Sequence, residues 1–243
     1  MLVGANRIKK MEGSMLTAVI FDFDGIIVDT EPIHFRAFQE VLRPLGLSYS
    51  WDDYLERYIG FDDRDAFREV FRVSGRDLDE ELLKSLINEK ARVFEEIVQK
   101  GVQPYPGVIE LVKSLSGTFP LALCSGALSR DIRPILGQLG IQKVFDVIVT
   151  AEDVRASKPD PESYQLALER LAGVFPEKNI TPATCLAIED TPAGIDSARK
   201  AGLMVLAVTN SYPAEKLSDA VSVTDSLASA TIAELSRIAE RGL

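Results

Sequence analysis

Cysteine is scarce. Cys124 and Cys185 are the two thiols in 243 residues, and both lie inside apolar runs. So few thiols exclude a disulfide framework; they suit small core side chains and a reducing, cytoplasmic setting. Apolar stretches of membrane-spanning length are missing. The basic N-terminal segment is followed by no apolar signal core. Residues 1–14 therefore read as a loose extension, with the domain opening near Met15. Positive charge is in deficit, with 27 Lys and Arg against 37 Asp and Glu and a net charge of −10. Such a surface repels nucleic acid and anionic membranes, and neither is an expected partner. An acidic chain that handles an anionic substrate needs local cations and a metal at its site. Internal repeats and low-complexity tracts are also absent. What is present is apolar material, 46% of the residues, enough for one large domain or a domain with an insertion.

That material comes in short bursts. Ala18-Val19-Ile20-Phe21 is a continuous apolar run that ends in Asp22, Asp24 and Gly25. It reads as a strand buried on both faces of a parallel sheet. Comparable runs fall at 120–125, 145–150, 184–190 and 203–208. Helical patterns separate or follow them at 107–116, 129–139 (with Pro134 inside), 161–172, 192–201 and 226–240. Asp160 is expected to cap the 161–172 helix, with Pro161 at its first position. Repeated strand–helix units predict an α/β fold, a parallel sheet with helices on both faces. Residues 30–103 break the alternation and carry only helical signals, at 31–45, 51–58, 63–73 and 78–98. A block of about 70 residues is too long for an ordinary connection and predicts an inserted all-helical domain. The core would then comprise 15–29 and 104–243.

Asp22 and Asp24 stand two residues apart at a strand end. Anions that close need a cation between them, or one keeps its proton. A hard, oxygen-seeking metal such as Mg²⁺ fits that need. In an open parallel sheet the carboxyl ends of the strands meet at one edge. The same edge would collect Ser125-Gly126, Ser157-Lys158-Pro159 and Glu189-Asp190. Alone, each has an ordinary reading as a turn, a solvated charge or a helix cap. Together they gather carboxylates, an ammonium, a hydroxyl and backbone donors, and that much buried charge calls for a ligand or metal.

The stretches FDFDGIIVDTE, LCSGA, SKPDPE and IEDTPAGI follow one another in this order. With them the chain resembles the haloacid dehalogenase superfamily. The likeness, from about Met15 to Val208, is to its helical-cap branch of sugar-phosphate phosphatases, phosphoglycolate phosphatases and β-phosphoglucomutases. The resemblance implies a Rossmann-like core with a helical cap. It also implies a Mg²⁺-dependent phosphatase for a small phosphorylated metabolite, a sugar phosphate foremost. In that frame Asp22 is the nucleophile that becomes an aspartyl-phosphate, and Asp24 is the general acid and base. Mg²⁺ is held by the Asp22 side chain, the Asp24 backbone carbonyl and Asp190, with Glu189 acting through a water or orienting the shell. Lys158 and Ser125, with the Gly126 N–H, hold phosphoryl oxygens. The connectors 27–30 and 101–106 become hinges. In the cap, Thr30, His34, Arg64 and Lys90 are candidate substrate or closure residues. Each has an ordinary alternative: a helix cap, a surface histidine, an ion pair with Asp63 or Asp65, an exposed lysine.

One departure bears on the activity. β-Phosphoglucomutases typically carry a lysine before the cap-loop glycine and an arginine three residues after it. Here Ile59 precedes Gly60, and Arg64 follows four residues on. This favours a phosphatase over a mutase-like phosphotransferase. A non-catalytic phospho-ligand binder on the same scaffold would have a damaged motif, and all four stretches are intact. The acidic surface is compatible with a monomer or a weak homodimer.

Overall fold

The computed structural model describes residues 16–58, 61 and 63–241. The expected extension 1–14, the start at Met15 and the cap-loop residues Ile59 and Gly60 lie outside the described residues. The apolar runs become strands: β1 (Ala18–Asp22), β2 (Leu121–Cys124), β3 (Val147–Val149), β4 (Cys185–Glu189) and β5 (Met204–Val208). A short β6 (Ser222–Thr224) follows. Among the described residues these form one parallel sheet in the order β3-β2-β1-β4-β5-β6. The chain builds outward from β1 on one side, then returns to lay β4 against its other side. The crevice where strand order reverses therefore lies between β1 and β4.

Between β1 and β2 the chain forms α1 (Glu31–Leu42) and α2 (Trp51–Asp53), which runs on as a wider turn over Tyr54–Tyr58. Then come α3 (Asp63–Ser74), α4 (Glu80–Gln99) and α5 (Val108–Leu115). After β2 come α6 (Ser129–Gln138), α7 (Glu162–Val174), α8 (Pro192–Lys200) and α9 (Ile232–Arg241). Residues two apart on a strand face opposite ways from their neighbours. Val19, Phe21, Leu123 and Ile188 accordingly join one apolar cluster, with Leu111 of α5, Ile135 of α6 and Leu235 of α9. Ala18, Ile20, Ala122 and Ala187 join the other, with Leu171 of α7 and Ile195 of α8. Burial of each large apolar side chain in these layers contributes about 1.5–3 kcal/mol.

The helical block over the strand ends is the predicted cap. Its core is continuous with the first sheet face through Ile26, Ile27 and Val28. Phe38 of α1 and Phe67 of α3 meet edge to face, with centroids 5.1 Å apart. Asp79 starts α4 by accepting the Leu82 N–H at 2.7 Å. The two connectors run together: Tyr105 donates its N–H to Ile27 O at 3.0 Å, and Val28 bridges to Pro104.

Three local expectations shift, and one short strand appears unannounced. The first cap helix ends at Leu42 and tightens into a short turn over Arg43–Leu45. Helix α7 starts at Glu162 with Pro161 in the cap position, although Asp160 Oδ1 still accepts the Glu162 N–H at 3.0 Å. Helix α9 starts at Ile232, not at 226, because Thr231 supplies the cap that Ser226 does not. Its Oγ1 takes the Glu234 N–H at 3.3 Å, in the Thr-x-x-Glu spacing of a capping box. Strand β6, half-buried and only three residues long, has no apolar run to announce it. Pro134 lies within α6, where its missing N–H removes one bond near the helix start.

Candidate active site

The polar strand ends converge. Asp22 closes β1, and the chain then folds back on itself. The Ile27 N–H bonds to Phe23 O at 2.8 Å and the Gly25 N–H to Val28 O at 2.9 Å. Phe23, Ile26, Ile27 and Val28 are all buried and anchor this loop in the core. Gly25 has φ +81°, and a Cβ there would fall 1.9 Å from Asp190 Oδ2. Only glycine lets the loop lie so close to that carboxylate.

Lys158 links the two sides of the crevice. Its Nζ donates to Asp22 Oδ1 at 2.5 Å and to Glu189 Oε1 at 2.6 Å. Glu189 is fully buried, and both its oxygens are engaged. Oε1 also accepts the Tyr164 O–H at 2.8 Å, while Oε2 accepts the Asp190 N–H at 3.1 Å and the Thr191 O–H at 3.3 Å. Asp190 is different. Ser211 donates its hydroxyl to Oδ2, but the buried Oδ1 has no hydrogen-bond partner among the described residues. Asp22, Glu189 and Asp190 each offer an oxygen within 4.8 Å of the others. Asp24 stands beside them, accepting the Thr30 O–H on Oδ1 and the Ser125 O–H on Oδ2, the latter at 3.2 Å. Ser125 Oγ in turn accepts the Ala127 N–H at 2.9 Å.

The electrostatics follow from this crowding. Burial pushes Asp22 well above the usual carboxylate range; Lys158 opposes that, and Glu189, Asp190 and Asp24 add to it. Burial raises Asp24 too, against the hydroxyl donors Thr30 and Ser125. Asp190 is pushed up to about 7 by burial and by Glu189. For Lys158 burial acts downward, but Asp22 and Glu189 outweigh it and hold the ammonium well above its ordinary value.

The cap carries its own polar group. Lys90, 2% exposed, donates to Asp63 Oδ1 at 2.6 Å and to His34 Nδ1 at 2.8 Å. An ammonium has no acceptor, so His34 Nδ1 is unprotonated and its ring proton sits on Nε2. Burial, then Lys90, lowers the imidazole well below its usual range. The ring stacks on Phe94 with centroids 4.5 Å apart. Lys90 is thus a buried, paired cation, and His34 is its partner; neither is a solvated surface group. Thr30 occupies the cap position of α1 but makes no capping bond with its side chain, which goes to Asp24. Arg64 stands exposed in the first turn of α3, and in that turn it is Asp63 that reaches Lys90.

Sequence reading missed Tyr164, Thr191, Asn210 and Ser211. Asn210 Nδ2 donates to Gly25 O at 2.6 Å. Asn210 and Ser211 did carry a signal, since they follow the apolar run of β5 at the same sheet edge. Tyr164 lies within a helix and carried none. Gly194 is a further silent participant. A Cβ there would lie 2.0 Å from the Glu189 carboxylate. Gly→Ala inside a helix ordinarily stabilises by about 0.5–1 kcal/mol. Gly194→Ala is expected to do the reverse, lowering the melting temperature and cutting turnover about 100-fold by displacing Glu189 from Lys158. Thermal melts and steady-state rates on the same preparation check both signs.

The family model for haloacid dehalogenase-like hydrolases matches residues 19–208. A phosphorylated carbohydrates phosphatase of Thermotoga maritima is 34% identical over 190 residues, covering 77% of this chain and 82% of that protein. The fructose-1-phosphate phosphatase YqaB of Escherichia coli is 32% identical over 188 residues, covering 76% and 92%. The crystal structure of a β-phosphoglucomutase from Clostridium difficile superposes with a TM-score of 0.77 at 25% identity, covering 93% of this chain and 97% of that one. The chain belongs to the haloacid dehalogenase-like hydrolases, and by enzyme class it is a phosphoric monoester hydrolase. Among the described residues no helix is long and apolar enough to cross a membrane.

Proposed function

We propose that this protein is a Mg²⁺-dependent phosphatase of small phosphorylated metabolites, sugar phosphates foremost, and that it works through an aspartyl-phosphate. The observation that carries the reading is the cluster of Asp22, Asp24, Lys158, Glu189 and Asp190 at the β1–β4 crevice. The residues fit a hard cation. The candidate donors are all oxygens, and the buried Asp190 Oδ1 lacks a partner. Asp22, Asp190 and the Asp24 backbone carbonyl would hold Mg²⁺, and Glu189, with both oxygens engaged, would orient the group. When bound, the ion offsets the repulsion between a carboxylate and an anionic phosphate.

Asp22 attacks phosphorus, and the bond to the ester oxygen breaks. Asp24 gives its proton to the departing alkoxide, then takes one from the water that opens the acyl-phosphate. Lys158 screens the nucleophile, while the Ser125 hydroxyl and the Gly126 N–H bind phosphoryl oxygens. Residues 30–103 act as a cap that closes over a core of 15–29 and 104–243, with Thr30, His34, Lys90 and Arg64 on the substrate side. The partner is a small phosphorylated metabolite, and the enzyme is a cytoplasmic monomer or weak homodimer, a setting its two buried thiols suit.

Phosphate release from a panel of phosphorylated metabolites tests the reading. Release is expected with Mg²⁺, is lost with EDTA and returns on adding Mg²⁺ back. Silence across the panel with Mg²⁺ present would sink it. Conversion of glucose 1-phosphate to glucose 6-phosphate with little free phosphate would favour a mutase-like phosphotransferase instead.

A further inference from the structure

Glu31 has no part in the chemistry above, yet it is held firmly beside it. It follows Thr30, whose hydroxyl is on Asp24, and opens α1 one turn before His34. Its Oε2 accepts the O–H of buried Tyr54 at 2.5 Å. It does not cap its own helix: Asp29 Oδ1 takes the Glu31 N–H at 3.2 Å. The carboxylate lies within electrostatic reach of Asp24 and Asp29 and, from the cap, Lys90. A half-buried anion set near two others is a poor choice for stability alone.

The surroundings narrow what it could meet. Lys90 offers no free charge to a ligand, because Asp63 pairs with it and the rings of Phe38 and Phe94 flank it at 4.9 and 5.3 Å. On the core side, Asp131 of α6 is paired with Arg130 at 3.8 Å and also feels Lys90, Asp63 and Asp24. Around Asp24 itself a second anion on the substrate would therefore meet carboxylates and a cation already neutralised, with the exposed Arg64 of α3 the cap set's other cation. Hydroxyl groups, by contrast, would find acceptors. The His34 Nε2–H adds a neutral donor.

We infer that Glu31 is a specificity-determining residue: its carboxylate, positioned by Tyr54, accepts hydrogen bonds from hydroxyls on the alcohol part of the substrate. The enzyme then takes monophosphate esters of neutral polyols and rejects esters that carry a second anionic group. This rests on the phosphatase reading above and narrows it.

The test compares kcat/KM for glucose 6-phosphate, p-nitrophenyl phosphate, a hexose bisphosphate and 2-phosphoglycolate, each with Mg²⁺. Wild type should prefer the hexose monophosphate to both esters that carry a second anionic group. In Glu31→Gln, which keeps an acceptor for Tyr54, the ratio of glucose 6-phosphate to p-nitrophenyl phosphate should fall about 10- to 100-fold, mainly through KM. Discrimination against 2-phosphoglycolate should weaken in step. Tyr54→Phe should move the same ratios in the same direction and less far. Equal loss on all four esters would make Glu31 a fold or catalytic element and overturn the inference. So would a wild type that prefers the bisphosphate or 2-phosphoglycolate, although the phosphatase reading would survive. A wild type that hydrolyses none of the four overturns both.

Discussion

Asp22→Asn should abolish phosphate release, by roughly 10⁴-fold or more, without lowering the melting temperature. The loss follows from chemistry: an amide oxygen is a poor nucleophile towards phosphorus, and groups that act as a unit fail together when one is removed. The stability half follows from the electrostatics. Asp22 is buried beside Glu189, Asp190 and Asp24, with Lys158 as the cation that opposes them. Asparagine keeps the shape and removes one of the crowded charges, and Lys158 retains Glu189 at 2.6 Å. Metal-free protein should therefore melt at the wild-type temperature or above it. That combination, activity gone and stability kept, marks a residue retained for function at some cost to the fold. Mg²⁺ should also raise the melting temperature of wild type and do so much less in Asp22→Asn, because a ligand stabilises only the state that binds it. Activity within tenfold of wild type would remove Asp22 from the nucleophile's role.

The same physics explains what the sequence could disclose. Strand ends were legible because each apolar run stops at a polar residue, and a parallel sheet gathers those stops: Asp22, Ser125 and Glu189 meet as their positions predict. Lys158 was legible through its place in Ser157-Lys158-Pro159, although its twin bonds to Asp22 and Glu189 are tertiary facts. Lys90 carried an unused signal. It lies four residues after Leu86 and four before Phe94, on the apolar stripe of α4, where a solvated lysine would not belong. Its partner Asp63 was hidden because the pairing crosses from α4 to α3. Glu31 was hidden in plain view, as a first-turn acid that looks like a helix-dipole partner until Tyr54 is seen to hold it. Helix α9 starts later than its helical pattern suggests because the Thr231–Glu234 capping pair, a local signal in the sequence, sets its first turn.

Lys158→Met carries the second large effect, and its signature is a pH dependence. The ammonium is the cation shared by Asp22 and Glu189 in a buried crevice. Removing one partner of a buried ion pair leaves uncompensated charge and costs about 3–5 kcal/mol. Turnover should fall about 1000-fold as well, since the screening of the nucleophile goes with it. The pH sign follows from Asp22, which burial already holds above its ordinary value and Lys158 pulls back down. Without Lys158 its folded value rises further. A carboxyl raised in the folded state binds its proton more tightly there than in the unfolded chain. Stability is then greatest below the unfolded value, about 4, and declines as pH climbs towards the folded one. The gap in melting temperature between wild type and Lys158→Met should therefore be wider at pH 8 than at pH 5 in metal-free buffer. Mg²⁺ should narrow it at pH 8 by supplying another positive charge to the same carboxylates. A gap that stays flat with pH, or widens in acid, would mean that Lys158 holds the crevice by packing and not by charge.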